Sequence, residues 1–114
     1  YRRDWLAFLH SFFESYDFFL LPSAQVFPFS VETPYPAEIE GRRMDTYHRW
    51  MEVVIPASLA GLPTISIPCG YNSNGLPMGI QLIGGFKTDL KVLAAAHFFE
   101  KSSSDNSEKG ILPN

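Results

Sequence analysis

Residues 61–84, GLPTISIPCGYNSNGLPMGIQLIG, decide the fold of this chain. Gly-Leu-Pro opens the stretch and recurs within it, and each copy leads into a short apolar run. The polar segment Asn-Ser-Asn-Gly at residues 72–75 separates the two runs. Because glycine and asparagine tolerate the backbone angles of tight turns, this arrangement predicts two buried strands, at about residues 64–68 and 78–83, joined by a turn.

The N-terminal part of the chain predicts a helix followed by a strand. Apolar side chains recur at helical spacing and indicate an amphipathic helix over residues 2–15. Four apolar residues then precede Pro22, which is typical of a short strand, at about residues 18–21, that is buried on both faces. Proline recurs through residues 22–45, so we predict a long loop there, of a length that is usually functional or mobile.

Two further helices are predicted after that loop. One begins at about residue 47, and Pro56, which lacks a backbone N–H group, is expected to kink or restart it before Gly61 ends it. The last helix begins near Thr88 or Asp89, either of which is a suitable N-cap. Its predicted apolar face consists of Leu90, Leu93, Ala94, His97 and Phe98.

The order helix, strand, helix, strand, strand, helix favours an α/β fold with a mixed sheet. A chain of 114 residues is long enough for one domain and too short for two. We predict that residues 1–100 form the ordered part. Residues 101–114 turn to Ser, Asp, Asn, Glu and Lys, so they are predicted to form a disordered or loosely attached tail.

Composition excludes several classes of function. The net charge of −3 provides no basic surface for nucleic acid or an anionic membrane, so neither is predicted as a partner. No apolar run reaches the roughly 18 residues that span a bilayer. The aromatic fraction of 15% requires a core or a partner to cover it. The single cysteine, Cys69, excludes an intrachain disulfide and fits a reducing cytosol, which predicts a cytoplasmic protein.

The start of the chain is informative as well. Its first residue is Tyr1 and not Met, and no signal-peptide pattern follows. A tyrosine at the beginning of a predicted helix favours an excerpt from a longer polypeptide. A cleaved or disordered N-terminus that the numbering leaves out is the alternative, and both interpretations stay open.

Three stretches carry a family resemblance: YDFFLLPS at residues 16–23, IPASLAGLPTISIPCG at residues 55–70 and GLPMGIQLIG at residues 75–84. They closely resemble the C-terminal region of the amidase signature family, serine hydrolases that cleave carboxamides. The resemblance implies that residues 1–100 are the C-terminal portion of an amidase signature domain, an α/β/α sandwich around a large mixed sheet. It implies hydrolysis of a carboxamide C–N bond through a serine acyl-enzyme, and no cofactor.

The resemblance places no catalytic residue in this chain. The family uses a serine nucleophile, a second serine in a cis peptide and a lysine base, all in segments far N-terminal to this region. No Gly-Gly-Ser-Ser-Gly-Gly segment occurs here, and the serines at residues 102–104 lie in the predicted tail without glycine. The implied partners are therefore the N-terminal remainder of the amidase domain and a small amide substrate, and a homodimer stays open.

The candidate substrate-binding residues are Tyr47, Trp50, Met51 and Val54. Their helical spacing alone predicts a helix face packed in the core. The resemblance implies another role, because in the family the helix before the Gly-Leu-Pro strand lines the acyl-binding pocket. The A subunits of glutamine-dependent tRNA amidotransferases carry Asp at about the position of Met51, where an acidic group can hold the amino group of a substrate. A thioether cannot, so the pocket is expected to prefer an aryl or alkyl amide.

Two other interpretations stay open. One is the A subunit of a glutamine-dependent tRNA amidotransferase, against which Met51 argues. The other is a free-standing, non-catalytic module derived from an amidase, whose aromatic surface binds a partner. A Gly- and Ser-rich run upstream of Tyr1, preceded by a lysine-bearing strand, favours the enzyme, whereas a start codon close by favours the module.

The remaining polar candidates are assigned structural roles. Arg42, Arg43 and Arg49 are predicted to be solvated. The three histidines share no metal-ligand spacing with one another or with Cys69, so no metal site is predicted. Cys69 itself is expected to fill space in the core or near the pocket. Gln81 lies in an apolar strand, and because a buried amide needs partners, it is predicted to fix a loop by hydrogen bonds.

Overall fold

The computed structural model describes residues 1–108. In chain order the elements are α1 (Arg2–Ser15), β1 (Phe18–Pro22), β2 (Glu38–Ile39), β3 (Arg42–Arg43), a 3-10 helical segment (Tyr47–Val54), α2 (Ile55–Ala60), β4 (Thr64–Tyr71), β5 (Pro77–Gly84) and α3 (Asp89–Glu108). The first helix and the strands β1, β4 and β5 form as predicted, but β1 and β4 are not buried on both faces, since Leu20 is 55% exposed and exposed residues alternate along the first half of β4. Among the described residues, no helix combines the length and the apolarity that a membrane span requires.

Strand β5 is the centre of a three-stranded antiparallel sheet with the order β1-β5-β4. Successive side chains of a strand point to opposite faces. On one face, Leu82 packs against Val92 and Ala96 of α3 in a buried cluster. The other face carries Gln81 and Ile83, with α1 and the 3-10 segment on that side. Helical elements therefore cover both faces of the sheet, and the predicted α/β fold is confirmed.

The turn between β4 and β5 forms as predicted. The Asn72 Oδ1 atom accepts hydrogen bonds of 2.9 Å from the backbone N–H groups of Asn74 and Leu76. Gly75 has a φ of 75°, a left-handed conformation that glycine adopts without steric cost. One asparagine side chain thus closes the turn and sets the register of the hairpin. The predicted loop over residues 22–45 contains the short antiparallel pair β2–β3.

The second predicted helix is divided into two elements. The 3-10 segment has a kink at Met51, whose φ of −117° and ψ of 19° are not helical. Pro56 lies in the first turn of α2. A backbone N–H group at that position would have no acceptor within the helix, so proline removes no helical hydrogen bond there. The helix therefore restarts at Pro56 as predicted. Gly61 ends α2 in the left-handed conformation with a φ of 67°, also as predicted.

Helix α3 buries a different face from the one predicted. The sheet packs against Val92, Ala95, Ala96 and Phe99, whereas the predicted residues Leu90, Leu93, Ala94, His97 and Phe98 are exposed. Both faces carry apolar residues at helical spacing, so periodicity alone does not choose between them. The face with the smaller side chains allows the closer approach, and a Cβ atom added at Gly84 would lie only 2.5 Å from Val92 Cγ2.

Helix α3 continues to Glu108 and so includes residues 101–108 of the segment that was predicted to be a disordered or loosely attached tail. Each residue added to an existing helix gains a hydrogen bond, so polar residues can extend a helix that has already formed. The Ser102 hydroxyl donates to the backbone oxygen of Phe98 over 2.8 Å, which fits this continuation. Residues 109–114 of the predicted tail lie outside the described residues.

Candidate functional site

The four candidate residues lie on the 3-10 segment that precedes α2. A 3-10 helix has three residues per turn, so residues three positions apart share a side. Tyr47 and Trp50, which precede the kink at Met51, therefore share one side, whereas Val54 follows the kink. The α-helical spacing predicted from the sequence would place all four residues on one face. The kink interrupts that face between Trp50 and Val54.

Tyr47 and Trp50 belong to a cluster of four aromatic rings. Their ring centroids lie 6.1 Å apart with nearly perpendicular planes. Phe29 meets Trp50 edge-on with a centroid distance of 5.5 Å, and Tyr35 meets Tyr47 in the same way at 5.9 Å. Edge-to-face pairs contribute about 0.5–1.5 kcal/mol each beyond the area that they bury, so the four rings hold one another in place.

Phe29 and Tyr35 are functional candidates that the sequence does not single out. They lie in the proline-rich loop of residues 22–45, where no helical or strand periodicity assigns side chains to a face. The usable signal was the presence of aromatic residues in a loop of a length that is often functional. In the structure this loop folds over the 3-10 segment and supplies half of the cluster.

The indole N–H group of Trp50 is a buried donor without an acceptor. Its Nε1 atom is inaccessible and has no hydrogen-bond partner among residues 1–108. The other tryptophan, Trp5, donates from Nε1 to the backbone oxygen of Pro56 over 3.0 Å. An unpaired buried donor costs about 1–3 kcal/mol, so an acceptor that reached Trp50 Nε1 would remove that cost on binding.

Met51 and Val54 contribute half-buried, apolar side chains to the same segment. Met51 lies at the kink, and Val54 is the last residue before α2. The neighbouring acidic residue, Glu52, is exposed. Met51 itself offers a thioether and no carboxylate that could hold an ammonium group.

Two glutamine side chains fasten the segment to the sheet and to the preceding loop. The Gln81 Nε2 atom donates to the backbone oxygen of Pro22 over 2.8 Å and to that of Val53 over 3.1 Å. The Gln25 Oε1 atom accepts from the backbone N–H of Val53 over 3.0 Å, and its Nε2 atom donates to Arg49 O over 3.5 Å. The prediction that Gln81 fixes a loop by hydrogen bonds is confirmed.

The charged residues near the site lie at the surface. Arg42 and Arg43 are exposed on β3, as predicted. Asp45 and Arg49 approach to 3.6 Å with partly exposed side chains, and such pairs contribute only about 0–1 kcal/mol. Cys69 is exposed, so of its two expected positions the one in the core is wrong, and the one near the pocket stays a prediction. The register of β4 shifts at this position, which removes Cys69 from the regular alternation of buried side chains.

A groove of about 650 Å³ lies apart from the aromatic cluster, between α1 and the loop that joins β5 to α3. Its lining is mostly apolar and includes Leu9, Phe13 and Phe86, with Lys91 at the rim. Lys91 pairs there with Asp17. The four predicted site residues do not line this groove, which makes it a second apolar surface and not an extension of the candidate site.

The layered fold is shared with solved amidases. The crystal structure of a bacterial aryl acylamidase of the amidase signature family matches 90% of this chain with a TM-score of 0.78 and 29% sequence identity, and the match covers 21% of that enzyme. The family model described as Amidase matches residues 1–93. The chain therefore belongs to the amidase signature family.

Its relatives include A subunits of glutamyl-tRNA(Gln) amidotransferases. The subunit from Synechococcus sp. (strain CC9902) is 36% identical over 115 residues, which is 98% of this chain and 21% of the relative. The solved subunit from Thermotoga maritima is 34% identical over 80% of this chain and 18% of its own, with a TM-score of 0.62. The chain spans only between 10% and 21% of the length of these curated relatives.

Proposed function

We propose that residues 1–100 are the C-terminal portion of an amidase that hydrolyses carboxamide C–N bonds by serine acyl-enzyme chemistry. The chain contributes sheet strands and one wall of the substrate pocket, and the N-terminal remainder of the domain supplies the nucleophile and its base. Family membership supports the reaction class. The observation that supports a pocket wall at Tyr47, Trp50, Met51 and Val54 is the aromatic cluster around the unpaired Trp50 N–H group.

In this proposal the wall recognises an aryl or alkyl amide. The rings of Tyr47 and Trp50 offer apolar surfaces to a flat group, and the flexible Met51 thioether fills the space beside it. During the reaction the serine oxygen bonds to the carbonyl carbon, the C–N bond breaks and the amine leaves with a proton, after which water hydrolyses the ester. No cofactor is required.

We also propose that the N-terminal remainder covers the apolar surfaces that this chain exposes. Leu90, Leu93 and Phe98 on α3 are 82%, 54% and 74% exposed. The groove beside α1 is a second such surface. Contiguous exposed apolar patches of this kind are typical of surfaces that another part of a protein covers.

The pocket wall is tested with Trp50→Ala in the full-length polypeptide. The assay compares kcat/KM for acetanilide, an aryl amide, with that for propionamide, a small aliphatic amide. We expect a loss of about tenfold or more for acetanilide and little change for propionamide, because only the larger substrate reaches the cluster. Glu52→Ala, on the exposed side of the same segment, is the control and should retain both activities. An equal loss on both amides would contradict the proposed wall.

A second candidate is the A subunit of a glutamine-dependent tRNA amidotransferase. The sequence relatives favour it, since A subunits of this kind are 36% identical over nearly the whole chain. Met51 opposes it, because its side chain cannot pair with the amino group of glutamine. Release of ammonia from glutamine by the full-length polypeptide, alone or with partner subunits, would favour this candidate. Turnover of acetanilide without turnover of glutamine would favour the amidase.

A further inference from the structure

Gln81 is a buried amide in the middle of the central strand. Its side chain is 5% exposed, and its neighbours along β5 are the apolar Ile80 and Leu82. Across the sheet it lies opposite Leu21 on β1 and Ser66 on β4. An amide in such a position is unfavourable unless both N–H donors are paired. Here both donors are paired. The two residues that accept these hydrogen bonds show which parts of the chain Gln81 holds together.

The two acceptors of Gln81 belong to different parts of the chain. Pro22 O is the end of β1, whereas Val53 O lies in the 3-10 segment. The N–H group of Val53 is held in turn by Gln25 Oε1. Both backbone polar groups of Val53 are therefore bonded to glutamine side chains. Val53 follows Trp50 by three residues across the kink at Met51, and Gln25 also donates from Nε2 to the backbone oxygen of Arg49, the residue before Trp50.

A short 3-10 segment has little stability of its own, because its hydrogen bonds are poorly aligned. The kink at Met51 interrupts this one further. Its orientation on the sheet must therefore come from outside, and the bonds to Val53 supply it. We propose that Gln81, with Gln25 as the second anchor, is a positioning residue that orients Trp50 and so sets the preference for aryl over aliphatic amides. This inference rests on the proposed pocket wall.

The experiment is a double-mutant cycle in the full-length polypeptide. Gln81→Met has nearly the same shape but no donors, and Trp50→Ala removes the ring that Gln81 is proposed to orient. The measured quantity is the ratio of kcat/KM for acetanilide to that for propionamide. Misplacement of a binding group by about 1 Å can cost up to a hundredfold in rate, so we expect Gln81→Met to lower the ratio about tenfold. In the Trp50→Ala background the same substitution should leave the ratio unchanged.

Two further variants keep the result interpretable if Gln81→Met folds poorly. Gln25 lies in a surface loop and is the other anchor of Val53. Gln25→Leu removes that anchor and should lower the same acetanilide-to-propionamide ratio. Ser66→Ala is the matched control, since it removes the 2.6 Å bond between the Ser66 and Ser23 hydroxyls beside Gln81 without touching Val53. It should not change the ratio.

The outcomes separate the two proposals. If Trp50→Ala leaves the ratio unchanged, the pocket wall itself is refuted. If Trp50→Ala lowers the ratio but Gln81→Met and Gln25→Leu reduce both activities equally, Gln81 is only structural and the inference fails alone. Additive effects of Gln81→Met and Trp50→Ala on the ratio would also overturn it.

Discussion

Gly84 controls how closely α3 approaches the sheet, and Gly84→Ala is expected to destabilise the protein by about 2–4 kcal/mol. The added methyl group would lie 2.5 Å from both Val92 Cγ2 and Thr88 Oγ1. Carbon atoms normally approach to about 3.5–4.0 Å, so the helix must move by about 1 Å. Val92 cannot rotate away at low cost, because β-branched side chains are restricted at χ1.

The magnitude is the sum of two effects. Overpacking a well-packed core costs about 1–3 kcal/mol. Displacing Thr88 also breaks the 2.7 Å hydrogen bond from its hydroxyl to the backbone oxygen of Gly85, which is worth about 1 kcal/mol. Neither Gly84 nor Gly85 has a positive φ, so backbone strain makes no contribution.

The adjacent glycine provides the control. A Cβ atom added at Gly85 would lie 3.5 Å from the nearest atom of Phe13, an ordinary contact, so Gly85→Ala should stay within about 1 kcal/mol of the wild type. Urea unfolding of the full-length polypeptide, followed by tryptophan fluorescence, gives both free energies. If the two variants unfold within about 0.5 kcal/mol of each other, the close packing of α3 on Gly84 is refuted.

Two further predictions concern the hairpin turn and the exposed face of α3. Asn72→Ala removes the acceptor of two 2.9 Å hydrogen bonds and should lower the free energy of urea unfolding by about 1–2 kcal/mol. Asn72→Asp keeps an acceptor oxygen and should lower it by less. If both variants lower the free energy of unfolding equally, the side chain does not close the turn. Leu93→Ser in the full-length polypeptide should cost about 1–3 kcal/mol if the N-terminal remainder covers this face. Lys101→Ser is the exposed control, and equal stability of these two variants would show that the face is solvated.

The parts of the fold that were predicted correctly depend on local chemistry. The hairpin of β4 and β5 follows from an asparagine and a glycine between two apolar runs, and each residue performs the expected task. Gly61 ends α2 because a left-handed conformation costs glycine nothing. Helix α1 has a single apolar face, so its periodicity leaves one choice.

The face of α3 could not be predicted from periodicity, because the choice depends on the surface opposite. Leu90, Leu93 and Phe98 are more hydrophobic than the alanines that are buried in their place. The sheet offers a glycine at residue 84, and a helix approaches a glycine closely only through small or well-fitted side chains. The sequence contains this complementarity, but a single chain does not reveal which residues lie opposite each other.

The site was predicted only in part, because it also depends on which residues lie opposite each other in the folded chain. The segment and its aromatic residues are visible in the sequence, and the structure brings Tyr47 and Trp50 into contact. Phe29 and Tyr35 reach that pair from a loop without periodicity, so only the tertiary structure connects them. The proposed role of Tyr47, Trp50, Met51 and Val54 in binding an amide stays a prediction for the assays above.

Pro56 changes the hydrogen bonding of the turn that precedes it. In an α-helix the N–H group at residue 56 would bond to the carbonyl oxygen of Glu52, but proline has no such donor and its ring crowds that carbonyl group. The Glu52 oxygen accepts instead from the N–H group of Ile55, three residues on, which is the 3-10 pattern. The turn immediately before the proline is thereby tightened, and the segment is kinked at Met51. A helix predicted to end against a proline should therefore be examined with both periods, since the regular spacing predicted over residues 47–54 is not kept through Met51.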